Sequence, residues 1–381
     1  MNNGFRKTGA RNKQIDALRA LALLLVLGHH FGNKVYGVST WIPLWTQMGW
    51  SGVDLFFVLS GFLISGILFR EYKSNGTLRI GRFLMRRGLK IYPAYYVVLI
   101  GSALTVDVPS KWTRIAVDCF FIQNYTLGVW GHLWSMAVEE HFYILLPFSF
   151  WVVMKFKRDN PFGNLPAITG VVMVLCLTLR SIPFWLRQPY AFPAQSQLRF
   201  DGLALGVLLS YLWEFRPNVI NGMVRNNGWW LLGSTAMLLS PQFVLPLDHP
   251  LMYTIGLTST YLGYGGLLIY SMRCLNGENP FISRLAKIGV HSYTIYLLHL
   301  PILALCITAG FSANWFRLNF VFTTYVGLSI VLGLFFAQLV ELPILKLRQI
   351  FFPPSSAADV LCEPPTFSRV TILEDLTCVS S

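Results

Sequence analysis

Long apolar stretches dominate the chain and alternate with short segments that collect Lys and Arg. Each stretch is near 20 residues long, which at about 1.5 Å of rise per residue is enough for a helix to cross a hydrocarbon core of about 30 Å. The pattern predicts an all-α, polytopic membrane protein with ten transmembrane spans, at residues 15–33, 50–69, 83–106, 132–154, 167–186, 199–215, 229–247, 251–272, 290–311 and 319–342. A further segment, 115–127, is expected to be re-entrant or interfacial.

The distribution of positive charge predicts the orientation of these spans. If the N-terminus is inside, most of the 30 Lys and Arg residues fall in cytoplasmic segments, as membrane proteins prefer. Both termini are therefore expected in the cytoplasm, and the protein is expected in a plasma (bacterial inner) membrane. The chain divides into a basic N-terminus at 1–14, a transmembrane domain at 15–345 and a short, disordered cytoplasmic tail at 346–381.

Composition removes several classes of protein. The 381 residues are 54% hydrophobic and only 12% charged, about half the charged fraction of a soluble domain. This composition excludes a disordered chain and a fibrous protein. A nucleic-acid binder is also excluded, because the net charge of +13 is mostly the signal that sets topology. Six cysteines without paired spacing indicate neither a zinc site nor a disulfide framework, and no metal is expected.

Ionisable residues inside the spans are candidates for function. Such a group costs several kcal/mol in a membrane unless it faces the bundle interior or a wet cavity. Four spans place these residues at a similar level near the outer side: His30, Asp54, the neighbours Glu139 and Glu140, and the neighbours Arg199 and Asp201. The agreement of four independent segments indicates a shared site.

The first span carries a cation and an imidazole on one helix face. Arg19 and His30 are eleven residues apart, so they point within about 20° of each other and lie about 16 Å apart along the axis. His29 points about 100° away. A long substrate could therefore place an anionic end at Arg19 and a reactive end at His30.

A ladder of basic residues opens the third span. Arg82, Arg86 and Lys90 follow at four-residue intervals, with Arg87 on the flank of the same arc. Aligned guanidinium groups suit a polyphosphate, because each can bind phosphate through two parallel hydrogen bonds. Contact with lipid headgroups and positive-inside flanking remain the alternative interpretation.

Polar residues also mark the fourth and ninth spans. Ser135, Glu139 and Tyr143 share one face of the fourth span, whereas Glu140 and His141 lie off it. A carboxylate near an imidazole can orient the ring and stabilise its protonated form, although an ion pair with an arginine is the simpler role for Glu139. His299, near the middle of the ninth span, is either a hydrogen-bonded structural residue or a participant.

Six sequence motifs, taken in order, resemble the acyltransferase-3 family of membrane-embedded O-acyltransferases, which modify bacterial surface polysaccharides, peptidoglycan, Nod factors and some macrolides. The likeness covers about residues 14–345. The motifs are IDALRALALLLVLGHHF, GVDLFFVLSGFLIS, RRGLKIYP, HLWSMAVEEHFYILLP, LRFDGLALG and SYTIYLLHLPI, with VELP closing the last span.

The resemblance implies roles for individual residues. His30 would be catalytic with Arg19 as its partner, Arg86 and Arg87 would hold the acyl donor, and Glu139 would be the glutamate that follows the Trp134–Ser135 motif. Arg199 and Asp201 match a paired Arg and Asp of the family. Two positions depart from its pattern: Lys90 stands in place of a third Arg, and His141 in place of Gln. The chain is expected to be a stand-alone form without a fused hydrolase-type domain.

These observations predict an O-acyltransferase that takes an acyl group, expected to be acetyl, from cytoplasmic acyl-CoA to a hydroxyl of a glycan or glycolipid. No permanently bound cofactor is expected, and the partners are the donor, the acceptor and the bilayer. Three groups of residues are predicted, namely catalytic His30 and Glu139; donor-binding Arg19, Arg86, Arg87 and Lys90; and substrate-binding Asp54, Trp134, Ser135, Glu140, Arg199, Asp201, Tyr293 and His299.

Three questions stay open at this stage. His30 could act as a general base on the acceptor, or it could carry the acyl group itself. The intramembrane charges would also suit a transporter or a flippase of a lipid-linked glycan. A third alternative keeps the enzyme but places an acceptor such as a macrolide on the cytoplasmic side.

Overall fold

The computed structural model describes residues 12–34, 45, 48–157, 160–186, 193–246, 248–308 and 315–353. These residues form helices joined by turns and contain no strand, which confirms the all-α fold class. The helices are α1 (Lys13–Lys34), α2 (Gly52–Asn75), α3 (Ile80–Thr105), α4 (Lys111–Cys119), α5 (Trp134–Phe156), α6 (Leu165–Trp185), α7 (Phe200–Phe215), α8 (Pro217–Met223), α9 (Trp229–Leu239), α10 (Pro241–Val244), α11 (Leu257–Cys274), α12 (Pro280–Val290), α13 (Ser292–Thr308), α14 (Trp315–Phe336) and α15 (Leu342–Phe351).

Several of these helices can cross a membrane, so the chain is a multi-pass membrane protein. Within the described residues, five are long and apolar enough: Lys13–Gly32, Gly49–Asn75, Gly131–Phe156, Leu165–Pro183 and Asn319–Phe351. A sixth span is formed if α12 and α13, which meet at 68°, are counted as one bent helix.

The remaining predicted spans form helices that are shorter or more polar. The helix α7 has 16 residues, and α9 has only 11 before Ser240 and Pro241 interrupt it. Ten spans and cytoplasmic termini therefore stay predictions. The predicted tail begins at residue 346, but α15 continues to Phe351, and residues 354–381 lie outside the described residues, as do residues 1–11.

Small residues bring the central helices close together. A Cβ added to Gly61 of α2 would lie 2.0 Å from the Leu203 carbonyl oxygen of α7, and one added to Gly206 would lie 2.3 Å from the Val58 carbonyl oxygen. Membrane helices associate through such contacts because lipid offers no hydrophobic driving force between them. The close approach of α2 and α7 places the polar residues at their N-terminal ends side by side.

The direction of α13 follows from its contacts with α1. Gly289, at the end of α12, packs against the Asp16 backbone of α1, and ten residues later His299 meets His30. The helix α13 therefore runs parallel to α1, while α5 runs in the opposite direction, with Ser135 near Tyr296 and Tyr143 near Arg87. This arrangement aligns the polar residues of three helices along one axis.

Candidate active site

A cavity that is partly open to its surroundings lies among α1, α2, α3, α5 and α13. It contains about 1160 Å³ of space not occupied by protein atoms, and this figure includes the open part. Its lining on α2 extends from Val53 to Ile67, a distance of about 21 Å along the helix. The cavity is therefore long enough to hold an extended molecule parallel to the helices.

One end of the cavity, here called the cation end, is lined by Arg19, Arg87 and Lys90. The Arg19 guanidinium lies 4.0 Å from the Asp16 carboxylate. The Arg87 guanidinium lies over the Tyr143 ring, 4.1 Å from its centroid, a favourable cation–π geometry. Three positive groups therefore line this part of the cavity, together with the carboxylates of Asp16, Glu139 and Glu140.

Arg86 occupies a different environment. It donates to the Phe352 backbone carbonyl beyond the end of α15, and Arg82 donates to the neighbouring carbonyl of Pro353. Arg87 lines the cavity, whereas Arg86, which points about 100° away on the same helix, does not. Of the four predicted donor-binding residues, the structure thus brings three together and places Arg86 in the contact between α3 and α15.

Glu139 lies with the cations. Its carboxylate accepts a hydrogen bond from the Tyr143 hydroxyl, which in turn accepts one from Ser60. Arg87 and Arg19 are its electrostatic partners. The four-residue spacing along α5 therefore does pair Glu139 with Tyr143, whereas the contact expected between Glu139 and His30 stays a prediction.

Glu140 also lines the cavity, although the helical spacing predicts that it lies off the face of Glu139. Its carboxylate accepts a hydrogen bond of 3.0 Å from the Tyr92 hydroxyl of α3. The cavity extends between α3 and α13, so it contacts two adjacent faces of α5. Tyr293 lines the same wall and donates a 2.7 Å hydrogen bond to the Ile91 carbonyl.

Ser135 and Tyr296 line the opposite end of the cavity. The Tyr296 hydroxyl donates to the His132 carbonyl at 2.8 Å and lies 2.7 Å from Ser135 Oγ. Behind these two residues lie three imidazole rings, those of His30, His132 and His299, which we call the imidazole cluster. His132 and His299 are buried and His30 is half-buried.

The three rings are in mutual proximity. The ring centroids of His30 and His299 are 4.9 Å apart, those of His132 and His299 4.6 Å, and those of His30 and His132 6.4 Å. His299 Nε2 lies 3.2 Å from His30 Nδ1, which is also 3.0 Å from the Val26 carbonyl. No three His, Cys, Asp or Glu side chains in the described ranges are arranged to hold a metal ion.

Asp54, Arg199 and Asp201 lie outside the cavity, in two buried ion pairs between helices. Arg199 Nη2 is 3.0 Å from Asp54 Oδ1, and Arg180 Nη2 is 2.7 Å from Asp201 Oδ2. Each of these side chains is at most 1% exposed. The Arg199 guanidinium also lies 5.1 Å from the Trp134 ring centroid. These contacts join α2, α5, α6 and α7 near one end of the bundle.

Sequence reasoning missed three residues of this region, namely His132, Arg180 and Tyr296. His132 lies two residues before the Trp134–Ser135 motif, so its level in the membrane could have drawn attention. Arg180 is an arginine within a predicted span, which is itself a signal. Tyr296 lies three residues after Tyr293 and three before His299, a spacing that puts all three on one helix face.

Comparison with known proteins gives a consistent result. The family model described as "Acyltransferase domain" matches residues 12–341. The peptidoglycan O-acetyltransferase OatA of Listeria monocytogenes is 26% identical over 323 residues, covering 76% of this chain and 49% of the relative. O-acetyltransferase OatA of Staphylococcus aureus is 23% identical over 317 residues, covering 76% of this chain and 50% of the relative. The chain spans about half the length of these curated relatives, and no solved structure matches it significantly.

Proposed function

The chain belongs to this acyltransferase family, and from that premise we propose that it is an O-acetyltransferase that moves an acetyl group from cytoplasmic acetyl-CoA to a glycan hydroxyl across the bacterial inner membrane. The observation that carries the proposal is the cavity, with Arg19, Arg87 and Lys90 at one end and the imidazole cluster behind the other.

The two ends of the cavity suit the two parts of the donor. The phosphates of the nucleotide bind at the cation end, where guanidinium groups provide charge-assisted hydrogen bonds. The pantetheine arm lies along α2 and carries the thioester toward Ser135 and Tyr296, in front of the imidazole cluster. Glu139 offsets part of the positive charge at the cation end and keeps Arg87 and Tyr143 in place.

The transfer reaction needs a base at the histidine end. His30 removes the proton from the acceptor hydroxyl as its oxygen attacks the thioester carbon. A carbon–oxygen bond forms, the carbon–sulfur bond breaks, and the proton passes from His30 to the departing thiolate to give free CoA thiol. In the alternative route a ring nitrogen of His30 attacks the thioester carbon, and the carbon–sulfur bond breaks to release the CoA thiolate. The acceptor oxygen then attacks the acetyl carbon, the carbon–nitrogen bond to His30 breaks, and the hydroxyl proton passes to the thiolate.

The proposal is tested with the purified full chain, radiolabelled acetyl-CoA and a glycan extract. The expected result is release of CoA thiol and a mass increase of one acetyl group on a glycan. His30→Ala abolishes both, and His29→Ala, on a different helix face, retains them. Movement of a solute across vesicles without consumption of the thioester would instead establish a transporter.

A further inference from the structure

The hydrogen bonds within the imidazole cluster fix the positions of the protons on His299 and His30. A carbonyl oxygen can only accept, and a neutral imidazole carries one N–H. His299 Nδ1 contacts the Tyr296 carbonyl, so Nδ1 carries the proton and Nε2 is an acceptor. Because His30 Nδ1 faces both this Nε2 and the Val26 carbonyl, His30 must donate from Nδ1 to both.

The tautomer of His30 then leaves one nitrogen for chemistry. With the proton on Nδ1, the lone pair of Nε2 is available to take a proton or to attack a carbonyl carbon. We propose that His299 is the positioning residue of His30: it holds the ring in the Nδ1–H tautomer and directs Nε2 to the reacting groups. The proposal rests on the proposed acetyl transfer and adds to it the identity of the group that orients the base.

His299 takes the place that a carboxylate occupies in a Ser-His-Asp triad. The hydrogen bond has the same direction in both arrangements, because the catalytic histidine donates from its second ring nitrogen to a fixed acceptor. When His30 gains a proton on Nε2, its hydrogen bond to His299 becomes charge-assisted and therefore stronger. A neutral acceptor achieves this without an ionised carboxylate beside the ring, and the carboxylate of Glu139 is bound by Tyr143 at the cation end.

The Val26 carbonyl alone would restrain the orientation of the His30 ring less strongly than His299 does. It belongs to α1, where it also accepts the backbone N–H of residue 30, four positions later. His299 Nε2, in contrast, projects from another helix and is completely buried. The contact between helices therefore restrains both the rotation of the ring and the choice of tautomer.

Three substitutions separate positioning from packing. Gln at position 299 places an amide oxygen near the site of Nε2 and can still accept from His30. Asn offers the same chemistry but reaches only the Nδ1 position, and Leu keeps volume without any acceptor. We expect His299→Asn and His299→Leu to lose about 100-fold in kcat, and His299→Gln less than about tenfold.

The KM for acetyl-CoA serves as the internal reference. Since Arg19 lies about 16 Å from His30 along α1, we expect this KM to stay within about twofold in all three variants. His29→Gln is the matched control, because its ring lies 5.5 Å from that of His30 on the same helix and we expect wild-type kcat. Equal losses for Gln and Asn at position 299 would reduce His299 to a packing role.

A spectroscopic measurement tests the hydrogen bond without any turnover. The full chain, labelled with ¹⁵N in its histidine rings and studied in micelles, should show His30 and His299 protonated on Nδ1, with a ¹⁵N–¹⁵N coupling between His30 Nδ1 and His299 Nε2. Loss of individual signals in His30→Gln and His299→Gln assigns them. An active protein whose His30 is protonated on Nε2 would overturn this inference alone. A protein that shows the coupling but never consumes acetyl-CoA would overturn the proposed function, and with it the catalytic role of the bond.

Discussion

Replacing Arg199 with Met should destabilise the protein strongly. The substitution removes the ion-pair partner of Asp54, a carboxylate that is completely buried. Arg180, the other cation that interacts with Asp54, is already paired with Asp201. Breaking a buried pair by removing one partner costs about 3–5 kcal/mol. Since 1.4 kcal/mol is a factor of ten, the unfolding equilibrium should shift by roughly two to four powers of ten.

The loss should be largely recovered when both charges are removed. Buried ion pairs can often be replaced by apolar residues of similar volume at little cost, so Asp54→Leu with Arg199→Met should regain most of the lost stability. Reversible unfolding of each variant in mixed detergent–SDS micelles, followed by circular dichroism, gives the free energies. Lys13→Met is the control, because its partner Glu278 is 69% exposed and such surface pairs are worth about 0.2–1 kcal/mol.

A particular result would refute this account of Arg199. If Arg199→Met unfolds with the free energy of the wild type but has a raised KM for the acceptor, its guanidinium binds substrate directly. The predicted substrate-binding role would then be correct, and the ion pair with Asp54 would be incidental.

Three further predictions concern the cation end, a helix contact and a buried acid. Arg87→Ala should raise the KM for acetyl-CoA about 10- to 100-fold in steady-state assays, since a hydrogen bond to a charged group is worth about 1.5–3 kcal/mol, and Arg86→Ala should raise it less. Gly289→Ala should lower the free energy of unfolding by about 1–3 kcal/mol in the same measurement, because its Cβ would lie 1.7 Å from a backbone oxygen of α1. Gly327→Ala is the control and should leave this free energy unchanged, because its Cβ would meet nothing within 4 Å. Burial raises the pKa of Asp118, in α4, to about 6 from an ordinary value of 3.8, so ionisation of this carboxyl disfavours the folded state. Asp118→Asn should therefore gain stability relative to the wild type as the pH rises from about 4 to 6.

Features that depend on one helix were predictable from sequence. The four-residue interval in α5 predicts that Glu139 meets Tyr143, as the structure shows. The eleven-residue interval in α1 predicts that Arg19 and His30 face the same way, and this stays a prediction. The helical periodicity is fixed by local geometry, so it needs no knowledge of neighbouring helices.

Features that depend on helix packing were not predictable. Arg199 and Asp201 are close in sequence, yet each pairs with a residue of another helix. The close approach of α2 and α7 at Gly61 brings Arg199 to Asp54, whereas the packing of α6 against α7 brings Arg180 to Asp201. The imidazole cluster likewise joins residues from three separate segments. One sequence does not specify which faces of α1, α5 and α13 meet, so the proximity of His299 to His30 required the structure.

The central claim is that the donor enters the cavity from the cation end and meets the acceptor at His30, behind the opposite end. The most direct measurement uses proteoliposomes of known orientation, with labelled acetyl-CoA outside and a membrane-impermeant glycan acceptor either trapped inside or added outside. We predict acetylation only of the acceptor on the side opposite the donor, and its loss in His30→Ala. Acetylation of the acceptor on the donor's own side, or full activity of His30→Ala, would contradict the account.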